Sequence, residues 1–380
     1  MSKIYNKICF FIFLIIIFLF SCNIYSKKNN LSNNSVIIES EVNIRSTLEY
    51  KYYDVLNISP AKIIIPKNQT VAQSLSVLVN DGHGNLVVFD GGRVEDADYL
   101  CDIIKDNGGV VKTWFITHIH DDHIGALYKI LSDKRTDIEI QEIYYDFASF
   151  DWYYEKMGND AGIYTLFVNS IEEYNKILTT NNKINVNIII SGHQPYFYYP
   201  NDKWYNPETK KYMDIPNSHM SVYILNNHYE LDQDPINNTS VAYIIDLFGD
   251  SGKNSHCQIL ILGDLGYEGG NKLFKENLFF DQVLEMPHET IKYDSFKYIG
   301  SFNKNIDNLD VIVLSHHGQN GIDPELYKKF SPKVVVWPTS KDIYENTHGK
   351  YYTDYTKKAL SEMSSIKYEI KSYEETAVIK

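Results

Sequence analysis

Cysteine is scarce in this chain: four residues in 380, with Cys9 and Cys22 both near the N-terminus. Four cysteines so placed do not make the disulfide framework that staples a small secreted domain. Cys101 and Cys257 are expected as buried small apolar residues, neither ligands nor a bonded pair. Basic side chains are also in deficit, 36 Lys and Arg against 49 Asp and Glu, for a net charge of −13. Lys3 and Lys7 are the only charges in the first 21 residues, so the remainder carries −15 (−13 less +2). An acidic surface opposes non-specific attraction to a phosphate backbone, so nucleic acid is a disfavoured partner unless a local basic groove exists. No Ser-His-Asp or Cys-His arrangement is evident either, and covalent catalysis by such a nucleophile is not expected. What the chain does have is 44% hydrophobic and 14% aromatic residues, ample for one large or two medium domains.

The densest chemical signal is Thr117-His118-Ile119-His120-Asp121-Asp122-His123, a His-x-His-x-Asp-His pattern directly after the apolar run Trp114-Phe115-Ile116. Neutral imidazole is the commonest protein ligand for zinc, and carboxylate is its usual companion. In an extended segment His118 and His120 project to one side. Ile124, Leu127 and Leu131 then recur at helical spacing, so a helix is expected to begin within the motif. One short loop can thus offer donors to two neighbouring cations.

This motif resembles the first metal motif of the metallo-β-lactamase superfamily, and the resemblance extends over residues 70 to 380. It implies an α/β fold, a four-layer αββα sandwich with a metal site at one edge of its two sheets. Members include lactamases, glyoxalase-type thioesterases, lactonases, nucleases and phosphodiesterases. Iron-binding redox members usually carry Glu at the position of His120, so a hydrolytic, zinc-type chemistry is implied here. The order of later pieces resembles the external hydrolase domain of ComEC-type DNA-uptake proteins. Those pieces are Asn237-Asn238-Thr239-Ser240, Leu262-Gly263-Asp264, His316-His317-Gly318 and a last one near Asn346, His348 and Gly349. In that last piece the histidine precedes the glycine instead of following it.

Residues 1–22 read as an export leader: Lys3 and Lys7, an apolar run from Ile8 to Phe20, then Ser21-Cys22. Leu19-Phe20-Ser21-Cys22 resembles a bacterial lipobox, which implies lipid on Cys22 and attachment to a membrane in the cell envelope. The run is short for a span of about 20 residues, so an uncleaved anchor is the alternative. Residues 23–49, rich in Ser, Asn and Lys, are expected to be a tether. The hydrolase domain is expected over residues 50–380. Two β-type runs around Gly82-His83-Gly84 predict a hairpin, with His83 as a turn residue. Residues 140–220 are expected to be an aromatic-rich insertion with a helix from about 161 to 178. Its aromatic clusters form either a satellite core or a wall over the site.

Asp90, His118, Asp264 and His317 each stand at or just beyond the end of an apolar run, and loops beyond strand ends gather ligands. From this and the resemblance, His118 and His120 are expected on one metal and Asp122, His123 and His317 on a second, with Asp264 between them. Asp90 orients the ligand loop. Asp122 and His316 are the candidate catalytic residues, His316 through substrate contact or proton supply, and the two histidines of the doublet could exchange roles. His193, in Gly192-His193, is a further candidate ligand. The expected cofactors are two divalent ions, zinc first and manganese second, which lower the pKa of bound water to roughly 7. The expected substrate is a small molecule or phosphodiester. A carbon ester, lactone or β-lactam is the second choice, and a non-catalytic metal-binding lipoprotein the third.

Overall fold

The computed structural model describes residues 48–179, 182–188, 196–198, 219–250, 255–275 and 309–380. Cys22, the leader, nearly all of the tether and His193 lie outside the described residues. Among the described residues no helix is long and apolar enough to cross a membrane.

The chain builds two mixed sheets. The first contains β1 (Tyr50–Tyr53), β2 (Lys62–Ile65), β3 (Val77–Asn80), β4 (Leu86–Phe89), β5 (Val110–Phe115), β6 (Glu139–Tyr145), β7 (Asn185–Ile188) and the C-terminal β15 (Thr376–Ile379). Its order is β1-β15-β2-β3-β4-β5-β6-β7. The second contains β8 (Tyr196–Tyr198), β9 (Met220–Ile224), β10 (Tyr243–Phe248), β11 (His256–Ile261), β12 (Val311–Val313), β13 (Val334–Trp337) and β14 (Tyr368–Lys371), ordered β14-β13-β12-β11-β10-β9-β8. The residues around 140–220 therefore supply strands to both sheets. The expected hairpin is β3–β4, antiparallel with Asn80 opposite Leu86. Asp81 closes its turn by accepting hydrogen bonds from the backbone N–H groups of His83 and Asn85.

Side-chain alternation makes the layers. Ile63, Ile65, Val77, Val79, Val87 and Phe89 share one buried cluster with Ile259, Ile261, Val311, Val313, Val334 and Val336, the seam between the sheets. Their neighbours Ile64, Leu78, Leu86 and Val88 turn outward onto the helices α1 (Ala97–Asp106), α2 (Asp121–Ser132), α3 (Phe150–Met157) and α4 (Gly162–Ile177). In the second sheet Leu260, Ile312, Val335 and Trp337 turn outward. They meet α5 (Tyr267–Lys275), α6 (Pro324–Tyr327) and α8 (Thr353–Ser361), while α7 (Lys341–Glu345) lies just beyond β13. Because both faces of central strands such as β4, β12 and β13 are covered, these strands read as unbroken apolar runs. The result is the four-layer αββα sandwich.

Aromatic residues at the end of β6 and after it take the packing role. Tyr145, Tyr153, Phe167 and Tyr174 belong to the helix-side core. Of the second aromatic group, Tyr196, Phe197 and Tyr198 form β8, and Tyr199, Trp204 and Tyr205 lie outside the described residues. Cys101 on α1 and Cys257 on β11 are buried free thiols.

Candidate metal centre

The ligand loop is positioned by aromatic packing immediately before it. Phe89 ends β4 and stacks on Phe115, which ends β5, at 5.1 Å and 12°. Tyr243 packs against Phe115 at 5.2 Å, and its hydroxyl donates to the Ile116 carbonyl at 2.8 Å. Asp90 and Thr117 follow these rings directly. The loops beyond β5, β11 and β12 and the segment leading into β10 are then stitched to one another. Val241 N–H donates to the Thr117 carbonyl, and His316 N–H donates to the Gly263 carbonyl. Ser240 Oγ accepts from Asp264 N–H at 2.9 Å. Gly263 has to be glycine: its φ is +55°, and a Cβ there would stand 2.7 Å from Thr117 Cβ. The helix α2 starts at Asp121 with His120 as its cap residue, and Asp121 and Asp122 favour its positive N-terminus.

Two groups of donors face one another in this cleft. In the first, one atom each of His118, His120 and Asp264 lie mutually within 4.8 Å; in the second, the same holds for Asp122, His123 and His317. Asp264 reaches both groups. Its Oδ1 is 3.2 Å from His123 Nε2, while its Oδ2 is 3.3 Å from His317 Nε2 and 3.9 Å from His118 Nε2. Asp122 Oδ2 is 3.1 Å from His317 Nε2, and Arg93 approaches the same oxygen at 3.6 Å. His316 stands beside the groups, with Nε2 4.0 Å from Asp264 Oδ2 and Asn237 Nδ2 at 3.3 Å. His316 and His317 both hold left-handed backbone, with φ of +47° and +58°, and Asp90 does so at +54°. Such conformations cost about 1–3 kcal/mol each and persist where the surroundings enforce them.

The inner nitrogens are freed by what the outer ones bind. Asp90 accepts from Thr117 N–H and from the Thr117 hydroxyl, both at 2.8 Å, and from His123 Nδ1 at 2.8 Å. Since Thr117 Oγ donates to Asp90, it accepts from His118 Nδ1 at 3.1 Å. His317 Nδ1 donates to the Pro338 carbonyl at 2.5 Å. Each of these three histidines thus spends its Nδ1 proton outward and turns Nε2 into the cleft, the arrangement in which partners behind a metal-binding histidine fix its tautomer.

Does this pocket fit divalent cations? His123 Nε2, His317 Nε2 and Asp264 Oδ1 are buried and make no hydrogen bond of good geometry; their polar neighbours at 3.1–3.3 Å are the other inward-facing atoms of the same cleft, as expected of ligands aimed at a common point. His118 Nε2 also stands 3.0 Å from His120 Nδ1, an acceptor that either a His120 N–H or a cation can serve. Imidazole and carboxylate donors are the zinc set. The residues fit.

Electrostatics agree. Burial pushes His118 and His120 below the usual histidine range, so both are neutral donors. Burial also opposes charge on His123, but Asp264 and Asp90 outweigh it and raise this imidazole well above its ordinary value. His317 is pushed up to about 9, burial again being overcome, here by Asp264 and Asp122. Burial would raise Asp122 and Asp264, yet the histidines hold both below the usual carboxylate range. Without a cation, then, protons on His123 and His317 balance the two carboxylates.

The last piece of the ComEC-type order stands apart from the cleft. His348 is exposed, and Asn346 is a left-handed helix cap whose amide serves Tyr351 and Asp354, so that segment contributes nothing to the cleft. Thr117, Ser240, Arg93 and the Pro338 carbonyl support the cleft, and sequence reasoning had not singled them out. Only Thr117 and Ser240 carried a signal, as members of quoted motifs.

The metallo-beta-lactamase superfamily model matches residues 70–180. That span contains Asp90 and His118 to His123; Asp264 and His317 lie beyond it. No protein of curated function matches the sequence. Among solved structures, the chain is similar to unliganded yeast PDE1 at 12% identity, covering 84% of this chain and 97% of that one, with TM-score 0.40. It is similar to the metallo-beta-lactamase fold protein YhfI from Bacillus subtilis at 10% identity, covering 82% and 95%, with TM-score 0.38. It is similar to the short form of human tRNase Z at 13% identity, covering 73% and 90%, with TM-score 0.35.

Proposed function

From a metallo-beta-lactamase superfamily domain set in an αββα sandwich, we propose that this protein is a metal-dependent hydrolase acting on a phosphodiester or phosphoester. In this reading His118 and His120 hold one divalent cation, Asp122, His123 and His317 hold a second, and Asp264 lies between them. The observation that carries it is the pair of facing donor groups, with three buried donor atoms that make no hydrogen bond of good geometry turned into one cleft. Zinc fits this donor set, with manganese as the alternative.

Bound cations would supply Lewis acidity and an activated water at neutral pH. The chain's own residues do the rest. Asp90 locks Thr117, His118 and His123 in one orientation. Asp122, backed by Arg93, orients the attacking water. His316, beside Asp264 but outside both donor groups, contacts the substrate; its Nδ1 proton faces the Asn320 carbonyl and its Nε2 accepts from Asn237 Nδ2, so Nε2 must first take up a proton before it can protonate the leaving oxygen. The phosphoester preference rests on the order of the Asn237–Ser240, Asp264 and His316–Gly318 pieces. Export and lipid attachment at Cys22 belong to the same reading and rest on the leader pattern alone.

The test is hydrolysis of bis-p-nitrophenyl phosphate by protein loaded with zinc or manganese, with metal content measured alongside. Turnover that disappears with a chelator and returns with metal supports the reading. Turnover only on a carbon ester, lactone or β-lactam moves the substrate class. Bound metal without turnover on any of them makes this a binding protein.

A further inference from the structure

The Asn237-Asn238-Thr239-Ser240 piece leads into β10 beside the cleft, and all four of its residues are buried. Ser240 serves the centre through Asp264 N–H. Two of the others are spent on structure. Asn238 Oδ1 accepts from Gly266 N–H at 2.9 Å and Gly269 N–H at 3.0 Å, and its Nδ2 donates to the Gln233 carbonyl, so this amide pins the start of α5. Thr239 Oγ1 donates to the Ile236 carbonyl at 2.7 Å and accepts from the Tyr153 hydroxyl at 3.3 Å. Asn237 differs, because its amide faces His316.

Asn237 Nδ2 carries two protons and meets two acceptors, Asp234 Oδ1 at 2.8 Å and His316 Nε2 at 3.3 Å. The reversed amide would set a carbonyl oxygen against the Asp234 carboxylate, so charge fixes the orientation. It leaves Asn237 Oδ1 buried with no hydrogen bond among the described residues, a state that folding ordinarily avoids. An ordinary turn explains the bond to Asp234, three residues earlier. It does not explain why one end of a buried amide goes unsatisfied while the other is kept on His316.

The far side of the His316 ring is held as well. Nδ1 donates to the Asn320 carbonyl at 3.3 Å, with Asp234 Oδ2 3.6 Å away, and the His316 backbone N–H is tied to the Gly263 carbonyl at 3.0 Å. An amide N–H can only donate, so Nε2 receives it as an acceptor. The ring is thus clamped at both nitrogens, with Nε2 4.0 Å from Asp264 Oδ2. At 3.3 Å the Asn237 contact is long for a hydrogen bond, enough to orient the ring without withholding Nε2 from an incoming proton. His317 is oriented by its place among the cation-holding donors, whereas His316 stands outside them and depends on hydrogen bonds for its aim.

We propose that Asn237, braced by Asp234, is a positioning residue for His316 and holds its Nε2 toward the reacting phosphoester; this rests on the role given to His316 above. The experiment measures kcat and KM on bis-p-nitrophenyl phosphate for metal-loaded wild type, Asn237→Ala, His316→Ala and the double variant, with metal content and melting temperature alongside. Asn237→Ala should keep its metals and lose roughly 10- to 100-fold in kcat, since a misplacement of about 1 Å can cost that much. KM should stay within about threefold. In the His316→Ala background the same change should cost nothing further, because the two residues act as one unit. Asp234→Ala, which removes a carboxylate 42% exposed to solvent, should show the same dependence on His316 and decides the matter where Asn237→Ala does not fold. Full kcat in both variants beside an impaired His316→Ala would overturn the proposal, as would an equal loss with and without His316. Full turnover in His316→Ala would instead remove the role of His316 itself, and the proposal with it.

Discussion

Asp264→Asn separates the two ways in which the cleft can balance its charge. The change keeps the shape and removes one negative charge that faces His123 at 3.2 Å and His317 at 3.3 Å. At an effective dielectric of about 20, each contact with a charged imidazole is worth roughly 5 kcal/mol before desolvation is set against it. Breaking a buried pair costs about 3–5 kcal/mol when the partner must stay charged. Here the imidazoles need not stay charged. With His317 at about 9, shedding its proton at pH 7.5 costs only about 2 kcal/mol. The metal-free variant should therefore fold, destabilised by about 2 kcal/mol rather than 5. A divalent cation has no such release, and it leaves instead. The expected outcome is loss of at least one metal per chain. Turnover should fall by more than the roughly 10–100-fold that removal of an outer partner costs. Elemental analysis, phosphodiester turnover and thermal melts of wild type and variant read all three quantities. Full metal loading with full turnover would refute the two-cation centre, and an unfolded variant would refute the charge argument.

His316→Ala should keep both metals and lose about 10²–10⁴ in turnover, the range for a general acid or base; metal loss there with full loading in His317→Ala would reverse the roles of the doublet. His317 is raised from 6.5 to about 9 in the metal-free protein, so its stabilising share is complete below pH 6.5 and is lost as pH rises through 9. That share is about 3 kcal/mol at about 1.36 kcal/mol per pH unit. Melts with chelator should accordingly fall between pH 6.5 and 9, melts with metal should not, and parallel curves would count against the proton–metal exchange. Cys22→Ser should move the protein from the membrane fraction to the soluble one, and wild-type protein confined to the cytosolic fraction would count against both export and anchoring.

The His118 to His123 motif was readable because its chemistry is local: alternation, a helix start and ligand spacing all lie within seven residues. The strands were readable for a related reason. Burial on both faces leaves unbroken apolar runs such as Ile63-Ile64-Ile65 and Val334-Val335-Val336, and side-chain alternation then divides each run between two core layers. Asp90, Asp264 and His317 could be suspected from their places at the ends of such runs. Tertiary structure alone decided that Asp264 reaches both donor groups, because that depends on β5 and β11 lying in different sheets. It decided the His316–His317 question of facing as well. Adjacent residues of one type give no sequence cue, and two successive left-handed backbones turn only His317 into the second donor group. The aromatic residues at the end of β6 and after it read first as a satellite core, with a wall as the alternative, and packing put Tyr145, Tyr153 and Phe167 into the core between sheet and helices. His83 reads as a turn residue from its neighbours and is one. Only folding brings His219 and Asp250, more than a hundred residues later, to the same edge, where the first stacks on His83 and the second pairs with it.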